Sequence, residues 1–130
     1  MAYSRATEVA LAAFSGGRCY YPDCDVPTVV KVEGEAIPNR QRAHIKARNL
    51  HGPRHDARMT DDQRDAWPNL LLLCHPHHTW VDKRHPDKYA PETLYEWKRK
   101  READTMAGLI GLGRVTEERL QEIVADAVEN

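Results

Sequence analysis

Two short pairs of cysteine and histidine residues limit what this chain can fold into more than any other feature. Four residues separate Cys19 from Cys24, and two separate Cys74 from His77. Each pair encloses a proline, which favours a turn, and two ligand pairs at turns are how a chain wraps a tetrahedral zinc ion. The sequence therefore predicts a structural Zn²⁺ site formed by Cys19, Cys24, Cys74 and His77. Either neighbouring histidine of the HPHH run could replace His77, and three ordinary buried thiols are the competing interpretation.

The size and cysteine count of the chain agree with a metal-stabilised domain. Its 130 residues suffice for one small domain, to which a bound metal would add noticeable stability. The odd count of three cysteines excludes a framework of paired disulfides within one chain. No apolar run approaches the roughly 20 residues of a membrane helix, and the first residues lack a signal-peptide pattern. We therefore expect a cytoplasmic protein without membrane association.

The net charge of −1 conceals a basic middle segment and an acidic C-terminal end. Between residues 40 and 58 a single acidic residue, Asp56, accompanies several basic ones, whereas acidic residues outnumber basic ones from residue 101 onwards. A basic segment can attract phosphates, so nucleic acid is a candidate partner. Two solvated faces without a partner would give the same pattern. The basic residues of the middle segment are Arg40, Arg42, Lys46, Arg48, Arg54 and Arg58.

Hydrophobic periodicity predicts helices towards both ends of the chain. Apolar residues at helical spacing indicate a first helix over residues 3–14, which a Gly-Gly pair ends. A second helix is predicted over residues 91–106, where the glycine-rich segment AGLIGLG should break it. Thr116 is then expected to cap a last amphipathic helix. One face of that helix would carry Leu120, Ile123, Val124 and Ala127.

Short strands are predicted between these helices. The segments 28–35 and 40–47 have the composition of strands, and NLLLL at residues 69–73 has that of a buried strand. The stretch 48–68 lacks a clear period and predicts a long loop, with one helical turn near residues 61–66. The segment HPHHTWVDK that follows the last strand should open a further helix.

Three residues, in their order along the chain, resemble the motif of the HNH endonucleases, the ββα-metal nuclease family. They are His44 within AHI, Asn69 at the start of NLLLLC, and His78 within CHPHHTWVD. The two cysteine-containing pairs around them are also typical of that family, with His77 where many members have a fourth cysteine. The resemblance covers about residues 18–102 and is greatest to bacterial HNH domains found in anti-phage and restriction effectors.

This resemblance implies an α+β fold with a small zinc-stapled ββα-metal (HNH) core. The core would comprise residues 18–102, preceded by an N-terminal helix in residues 1–17 and followed by a C-terminal helical arm in residues 103–130. The arm is expected either to pack on the core or to bind a protein partner or a second copy of the chain. The implied activity is metal-dependent hydrolysis of phosphodiester bonds in DNA, with RNA as the other candidate substrate.

The resemblance also implies a role for each residue of the motif. His44 would be the general base that takes a proton from water, and Asn69 would hold the loop and orient His44 through its side-chain amide. His78 would ligate a catalytic Mg²⁺ or another divalent cation. Contacts to the nucleic-acid backbone are expected from Lys46, Arg48, Arg54 and Arg58.

The chain departs from the family pattern at Ala43, immediately before His44. Many HNH nucleases have an aspartate, glutamate or histidine there as a second metal ligand. Asp56 is our candidate for a replacement ligand; ligation by water and phosphate, or impaired catalysis, would also account for the alanine. The alternative function is therefore a non-catalytic, zinc-stabilised module that binds nucleic acid or a protein partner.

Overall fold

Small antiparallel strand pairs and helices of very different lengths build a mixed α+β architecture. It is seen in a computed structural model that describes the backbone of residues 3–129 and the side chains of residues 3–110. The predicted α+β class is confirmed, whereas the assignment of an HNH fold stays a prediction. No helix within these described residues is long and apolar enough to cross a membrane.

The first helix, α1, spans Arg5–Phe14, close to the predicted range. Its N-terminus is capped by Ser4, whose hydroxyl accepts a hydrogen bond from the Thr7 N–H over 3.1 Å. The helix ends before Gly16 and Gly17, which have φ values of 65° and 74°. Glycine adopts this left-handed conformation without steric cost, so the Gly-Gly pair ends the helix as predicted.

The predicted strand over residues 28–35 comprises the first arm of a hairpin, its turn and the first residue of the second arm. Strand β1, Val29–Val32, pairs antiparallel with β2, Glu35–Pro38. The two residues between them, Glu33 and Gly34, both have positive φ, which is the conformation of a tight two-residue hairpin turn. Both strands lie largely at the surface.

A second strand pair forms the centre of the molecule. Strand β3, Gln41–His44, pairs antiparallel with β4, Leu70–Leu73, with His44 opposite Leu70. All four leucines of β4 are buried, and a fully buried leucine contributes about 2 kcal/mol through the hydrophobic effect. Leu11 of α1 and the more distant Leu94 pack into the same core. The predicted strands over 40–47 and 69–73 are confirmed, each in a shorter form.

The long loop between β3 and β4 contains the helical turn that was predicted there. Helix α2 spans Asp61–Arg64. It begins with a capping box, in which Thr60 and Gln63 each bond the other's backbone N–H. A 3₁₀ turn over Trp67–Asn69 then leads into β4.

Two further helices follow β4. Helix α3 spans His75–Thr79 and continues as a π-helical turn over Trp80–Arg84. After a 3₁₀ turn over Pro86–Lys88, the 39-residue helix α4 spans Pro91–Glu129. Near its start α4 is fastened to β4, because the buried Lys98 ammonium donates to the carbonyl oxygen of Leu70 over 2.8 Å.

The predicted break of the helix at AGLIGLG is wrong, and so is a separate last helix beginning at Thr116. Helix α4 continues through the whole segment, because a glycine costs a helix only about 1 kcal/mol and no proline interrupts the hydrogen bonds. The helix also crosses the predicted boundary between residues 102 and 103. The division of the chain into a core and an arm at this boundary stays a prediction. The predicted apolar face of Leu120, Ile123, Val124 and Ala127 lies outside the residues whose side chains are described.

Candidate functional site

The structure brings the four predicted ligand residues together. The sulfur atoms of Cys19, Cys24 and Cys74 and a ring nitrogen of His77 all lie within 4.8 Å of one another. The His77 Nδ1 atom is 3.3 Å from the Cys74 sulfur and 3.7 Å from the Cys19 sulfur. None of the three cysteines is in a disulfide. Cysteine and histidine in these numbers form a group that could hold a metal ion such as zinc, as predicted.

Local backbone structure delivers each ligand to this group. Asp23, with a φ of 62°, tightens the turn that returns the chain to Cys24. Cys74 follows the last residue of β4 and is the N-cap of α3, so His77 lies in the first turn of that helix. A strand and the start of the next helix therefore supply the second ligand pair.

The surroundings of Cys19 and His77 suit metal ligation. Two backbone N–H groups, of Cys74 and Tyr21, donate to the Cys19 sulfur over 3.2 Å and 3.5 Å. Burial raises the pKa of Cys19 to about 12, while these two hydrogen bonds act in the opposite direction. Burial lowers the pKa of His77, which favours the neutral imidazole that metals bind. A metal ion would supply the positive charge that a buried thiolate needs.

The histidine that joins the three cysteines is His77 and not one of its neighbours. The Tyr21 ring stacks on His77 with a centroid distance of 3.8 Å and an angle of 6°, which fixes the imidazole plane. The exposed His75 instead accepts a hydrogen bond from the Gln41 amide over 2.7 Å. His78 faces Asp82, on the next turn.

Two of the three residues of the HNH-like motif line a second candidate site. His44, at the end of β3, and His78, in α3, line one cavity of about 250 Å³. Their side chains are 19% and 18% exposed, so each imidazole keeps a small accessible edge. Arg42 and Arg48 line the same cavity. Residues 34 positions apart in the sequence thus meet in one strand–strand–helix unit.

Asn69, the third residue of the motif, is buried and does not line this cavity. Its Oδ1 atom accepts a hydrogen bond from the Lys46 N–H over 3.0 Å, and its Nδ2 atom donates to the Lys46 carbonyl over 2.9 Å. The Nδ2 atom also donates to the carbonyl of Arg64 over 2.8 Å. The side-chain amide therefore holds the loop between β3 and β4 through its backbone, two residues after His44.

Asp82 is a member of the site to which the sequence analysis gave no chemical role. One carboxylate oxygen lies 3.3 Å from Nε2 of His78, and the other accepts a hydrogen bond from Arg54 over 2.6 Å. Burial opposes ionisation, but hydrogen bonds from His78 and Arg54 outweigh it and hold the pKa of Asp82 below its ordinary value. The spacing of four residues between a helical histidine and an aspartate is the only sequence signal for this pair.

Asp65 is the second residue that the sequence analysis did not identify. Its side chain is 4% exposed, and its Oδ1 atom lies 2.9 Å from Nε2 of His44. Its Oδ2 atom accepts a hydrogen bond from Nε of Arg48 over 2.9 Å. Asp65 ends α2 within the long loop, where no periodicity connects it with His44. Nothing in the sequence pattern could have paired these residues.

The structure places Asp56 apart from the cavity, against our expectation of a metal ligand there. Its carboxylate accepts hydrogen bonds from Arg58 over 3.0 Å and from Lys46 over 3.2 Å. These hydrogen bonds, the one from the Arg58 side chain first, hold the pKa of Asp56 below its ordinary value. Asp56 is not among the residues that line the cavity, so Asp82 takes its place as the carboxylate beside His78.

The basic residues predicted to contact nucleic acid differ in exposure. Arg58 is 89% exposed, Arg48 46% and Lys46 25%. Arg54, in contrast, is 6% exposed and donates both to Asp82 and to the carbonyl of Ile45, over 2.6 Å in each case. Because the Arg54 guanidinium is buried and already hydrogen-bonded, we do not propose Arg54 for phosphate contacts.

No family model and no curated protein matches this chain. The likeness to HNH endonucleases therefore depends on the three-residue motif, the cysteine and histidine pairs, and the arrangement of the residues described above.

Proposed function

We propose that this chain is a metal-dependent endonuclease of the HNH type, which hydrolyses phosphodiester bonds in DNA. One observation carries the proposal: His44 and His78, from different elements, line the same cavity, and Asn69 holds the loop that follows His44. In this proposal the ion in the cysteine and histidine cluster is Zn²⁺ with a structural role, because closed four-ligand sites rich in cysteine are typical of structural zinc.

His44 is the proposed general base. An imidazole accepts protons efficiently near neutral pH, and a base must reach the water molecule that attacks the phosphorus. The partly exposed edge of the His44 ring at the cavity provides such access. The short strand β3 and the hydrogen bonds between Asn69 and the Lys46 backbone hold the chain around His44 in place, which reduces the entropic cost of reaching the reactive geometry.

His78 and Asp82 are the proposed ligands of a catalytic divalent cation. An imidazole nitrogen and a carboxylate oxygen lie 3.3 Å apart and line the same cavity. The low pKa of Asp82 keeps its carboxylate charged, as a ligand of Mg²⁺ must be. Two protein ligands suffice because Mg²⁺ usually retains several waters. A bound cation would neutralise charge on the phosphate and on the leaving oxygen.

Arg42 and Arg48 are proposed to bind the DNA backbone beside the site. Both line the cavity, and their side chains are 37% and 46% exposed. Arginines at the rim of a cavity attract phosphates without reading the base sequence, and such binding weakens as the salt concentration rises. Lys46 and Arg58 would extend this basic surface away from the cavity.

A non-catalytic zinc module that binds nucleic acid remains the second candidate. Ala43 is its main support, because a buried methyl group cannot supply the metal ligand that many HNH nucleases have at this position. The two candidates agree on zinc binding and DNA binding. They differ only in whether the residues of the cavity cleave the bound DNA.

Binding and cleavage therefore have to be measured in parallel. We would compare the zinc-loaded wild type with His78→Ala and with His51→Ala, a substitution of an exposed histidine outside the cavity. The nuclease proposal expects equal zinc content and similar salt-dependent DNA binding in all three. Nicking of plasmid with Mg²⁺ or Mn²⁺ should fall roughly 100-fold or more in His78→Ala only. DNA binding without any nicking by the wild type would favour the binding module.

A further inference from the structure

We infer that Asp65 fixes the His44 imidazole in the tautomer protonated at Nε2, so that Nδ1 is the ring nitrogen left with a free lone pair. The tautomer follows from the contacts of the two side chains. Its consequence for catalysis rests on the proposed nuclease function.

The contact between the two side chains determines which nitrogen carries the proton. Oδ1 of Asp65 lies 2.9 Å from Nε2 of His44. A carboxylate only accepts hydrogen bonds, so the imidazole has to be the donor. Because Asp65 is only 4% exposed, water cannot readily take the place of the imidazole as its partner. A neutral histidine protonated at Nε2 has its lone pair at Nδ1.

The position of the Asp65 carboxylate is fixed on both sides. Its second oxygen is occupied by the guanidinium of Arg48, which leaves Oδ1 for His44. Its backbone N–H donates to the carbonyl of Asp61 within α2, and the preceding carbonyl, of Arg64, is held by Asn69. The buried amide of Asn69 thus anchors the chain next to both members of the His44–Asp65 pair.

The remaining contacts of His44 agree with this assignment. The hydroxyl oxygen of Tyr3 lies 3.2 Å from Nε2 and can accept a share of the same N–H. The Tyr3 ring is itself held by the Arg42 guanidinium, 4.0 Å above its centroid. Within residues 3–110, Nδ1 of His44 has no hydrogen-bond partner. The protonated nitrogen is therefore saturated, whereas the unprotonated one is free.

In the proposed reaction Nδ1 is the atom that takes the proton. Water gives a proton to Nδ1 as its oxygen forms a bond to phosphorus. The bond between phosphorus and the leaving oxygen breaks, and that oxygen is protonated by solvent. The imidazolium that results has N–H groups on both nitrogens, and the negative charge of Asp65, 2.9 Å away, stabilises it. Asp65 is thus a positioning residue, which acts on water only through His44.

A merely structural role for Asp65 makes a different prediction. If the carboxylate served only to pair with Arg48, Asp65→Asn would lower stability without changing the tautomer of His44. In the positioning role, the new side chain can turn its NH₂ group towards Nε2, and the ring proton should then move to Nδ1. The exposed Asp62 on the same helix offers a matched control, Asp62→Asn, which removes the same charge.

The test is a ¹H–¹⁵N spectrum of the histidine rings in the zinc-loaded full chain, at a pH where the rings are neutral. The spectrum of His44→Gln assigns the His44 signals. We expect an Nε2–H ring in the wild type and in Asp62→Asn, and a shift towards Nδ1–H in Asp65→Asn. An Nδ1–H ring in the wild type would overturn the inference, and so would an unchanged tautomer in folded Asp65→Asn. The wild-type result decides even if that variant does not fold.

Cleavage rates add a second, separable result. In Asp65→Asn the kcat for plasmid nicking should fall by roughly 100-fold or more while KM changes little, and Asp62→Asn should match the wild type. Wild-type kcat in a folded Asp65→Asn would overturn the positioning role. A wild type that carries the Nε2 proton but never cleaves would contradict the proposed function and leave the tautomer assignment supported.

Discussion

The side-chain amide of Asn69 clamps the backbone of Lys46 from both sides, accepting from its N–H over 3.0 Å and donating to its carbonyl over 2.9 Å. Because the same Nδ2 atom also donates to the carbonyl of Arg64, one buried side chain holds two distant points of the long loop. His44 lies two residues before Lys46, and Asp65 directly follows Arg64. The amide of Asn69 therefore contributes to the relative position of the imidazole and the carboxylate, together with the hydrogen bond from Arg48 to Asp65.

Replacing Asn69 should cost much more stability than replacing a surface asparagine. Asn69→Ala leaves three backbone groups without their partner, and we expect the free energy of unfolding to fall by about 3 kcal/mol. Asn39→Ala removes one exposed hydrogen bond, to Pro27, and should cost less than about 1 kcal/mol. Urea unfolding of both zinc-loaded variants measures the difference. Equal losses of unfolding free energy in the two variants would show that the hydrogen bonds of Asn69 do not stabilise the fold.

The amount of bound zinc should fall when His77 is replaced and stay the same when His75 is replaced. Removal of the Nδ1 ligand by His77→Ala should bring bound zinc well below one ion per chain. His75→Ala, which removes an exposed side chain, should leave zinc unchanged. Chelation of the wild type should lower its melting temperature by roughly 10 °C or more, because the metal contributes to folding. Elemental analysis of the purified chains measures the zinc, and equal zinc in both variants would refute the assignment of His77.

Asp82 should stabilise the fold through Arg54, in a manner that depends on pH. Asp82→Asn leaves the buried Arg54 guanidinium without its counter-charge and should cost about 3 kcal/mol at pH 7. The control Asp87→Asn changes an exposed carboxylate and should be nearly neutral.

The sign of this pH dependence follows from the lowered pKa of Asp82. Its folded pKa lies below the unfolded value of about 4, so its contribution is complete above about pH 5 and is lost as the pH falls through the folded pKa. The stability difference between the wild type and Asp82→Asn should therefore shrink below about pH 4. Taking the difference at each pH cancels the release of zinc, which is common to both. A gap that widened in acid would mean that this carboxylate is not preferentially charged in the folded chain.

Continuity of α4 predicts opposite effects of alanine at two glycines. Gly108 is exposed within α4 and a Cβ there would meet open space, so Gly108→Ala should stabilise the chain by roughly 0.5–1 kcal/mol. Gly16 has a φ of 65°, and a Cβ there would lie 2.9 Å from the Thr105 hydroxyl oxygen, so Gly16→Ala should be destabilising. Thermal unfolding followed by circular dichroism at 222 nm reports both. A loss of stability in Gly108→Ala would argue that the helix ends before this residue.

The accuracy of the sequence analysis depended on whether a feature was local. The ligand set was predictable because Cys19 and Cys24 form one short pair and Cys74 and His77 another. The predicted break of α4 failed because glycine weakens a helix without forbidding it. The contact of Asp65 with His44 was out of reach, since folding of an aperiodic loop joins them across 21 residues. Residues at local spacing are thus found from sequence, whereas Asp65, which the folded loop brings to His44, is not.

The most direct measurement is the rate at which the zinc-loaded chain nicks supercoiled plasmid with Mg²⁺, compared between the wild type and His44→Ala. Since His44 lies outside the zinc cluster, the substitution should leave the zinc content unchanged. We predict nicking by the wild type that stops when the added cation is omitted, and a rate at least about 100-fold lower in His44→Ala. Equal rates in the two proteins would contradict the account. So would a folded wild type that fails to nick plasmid with every divalent cation tested.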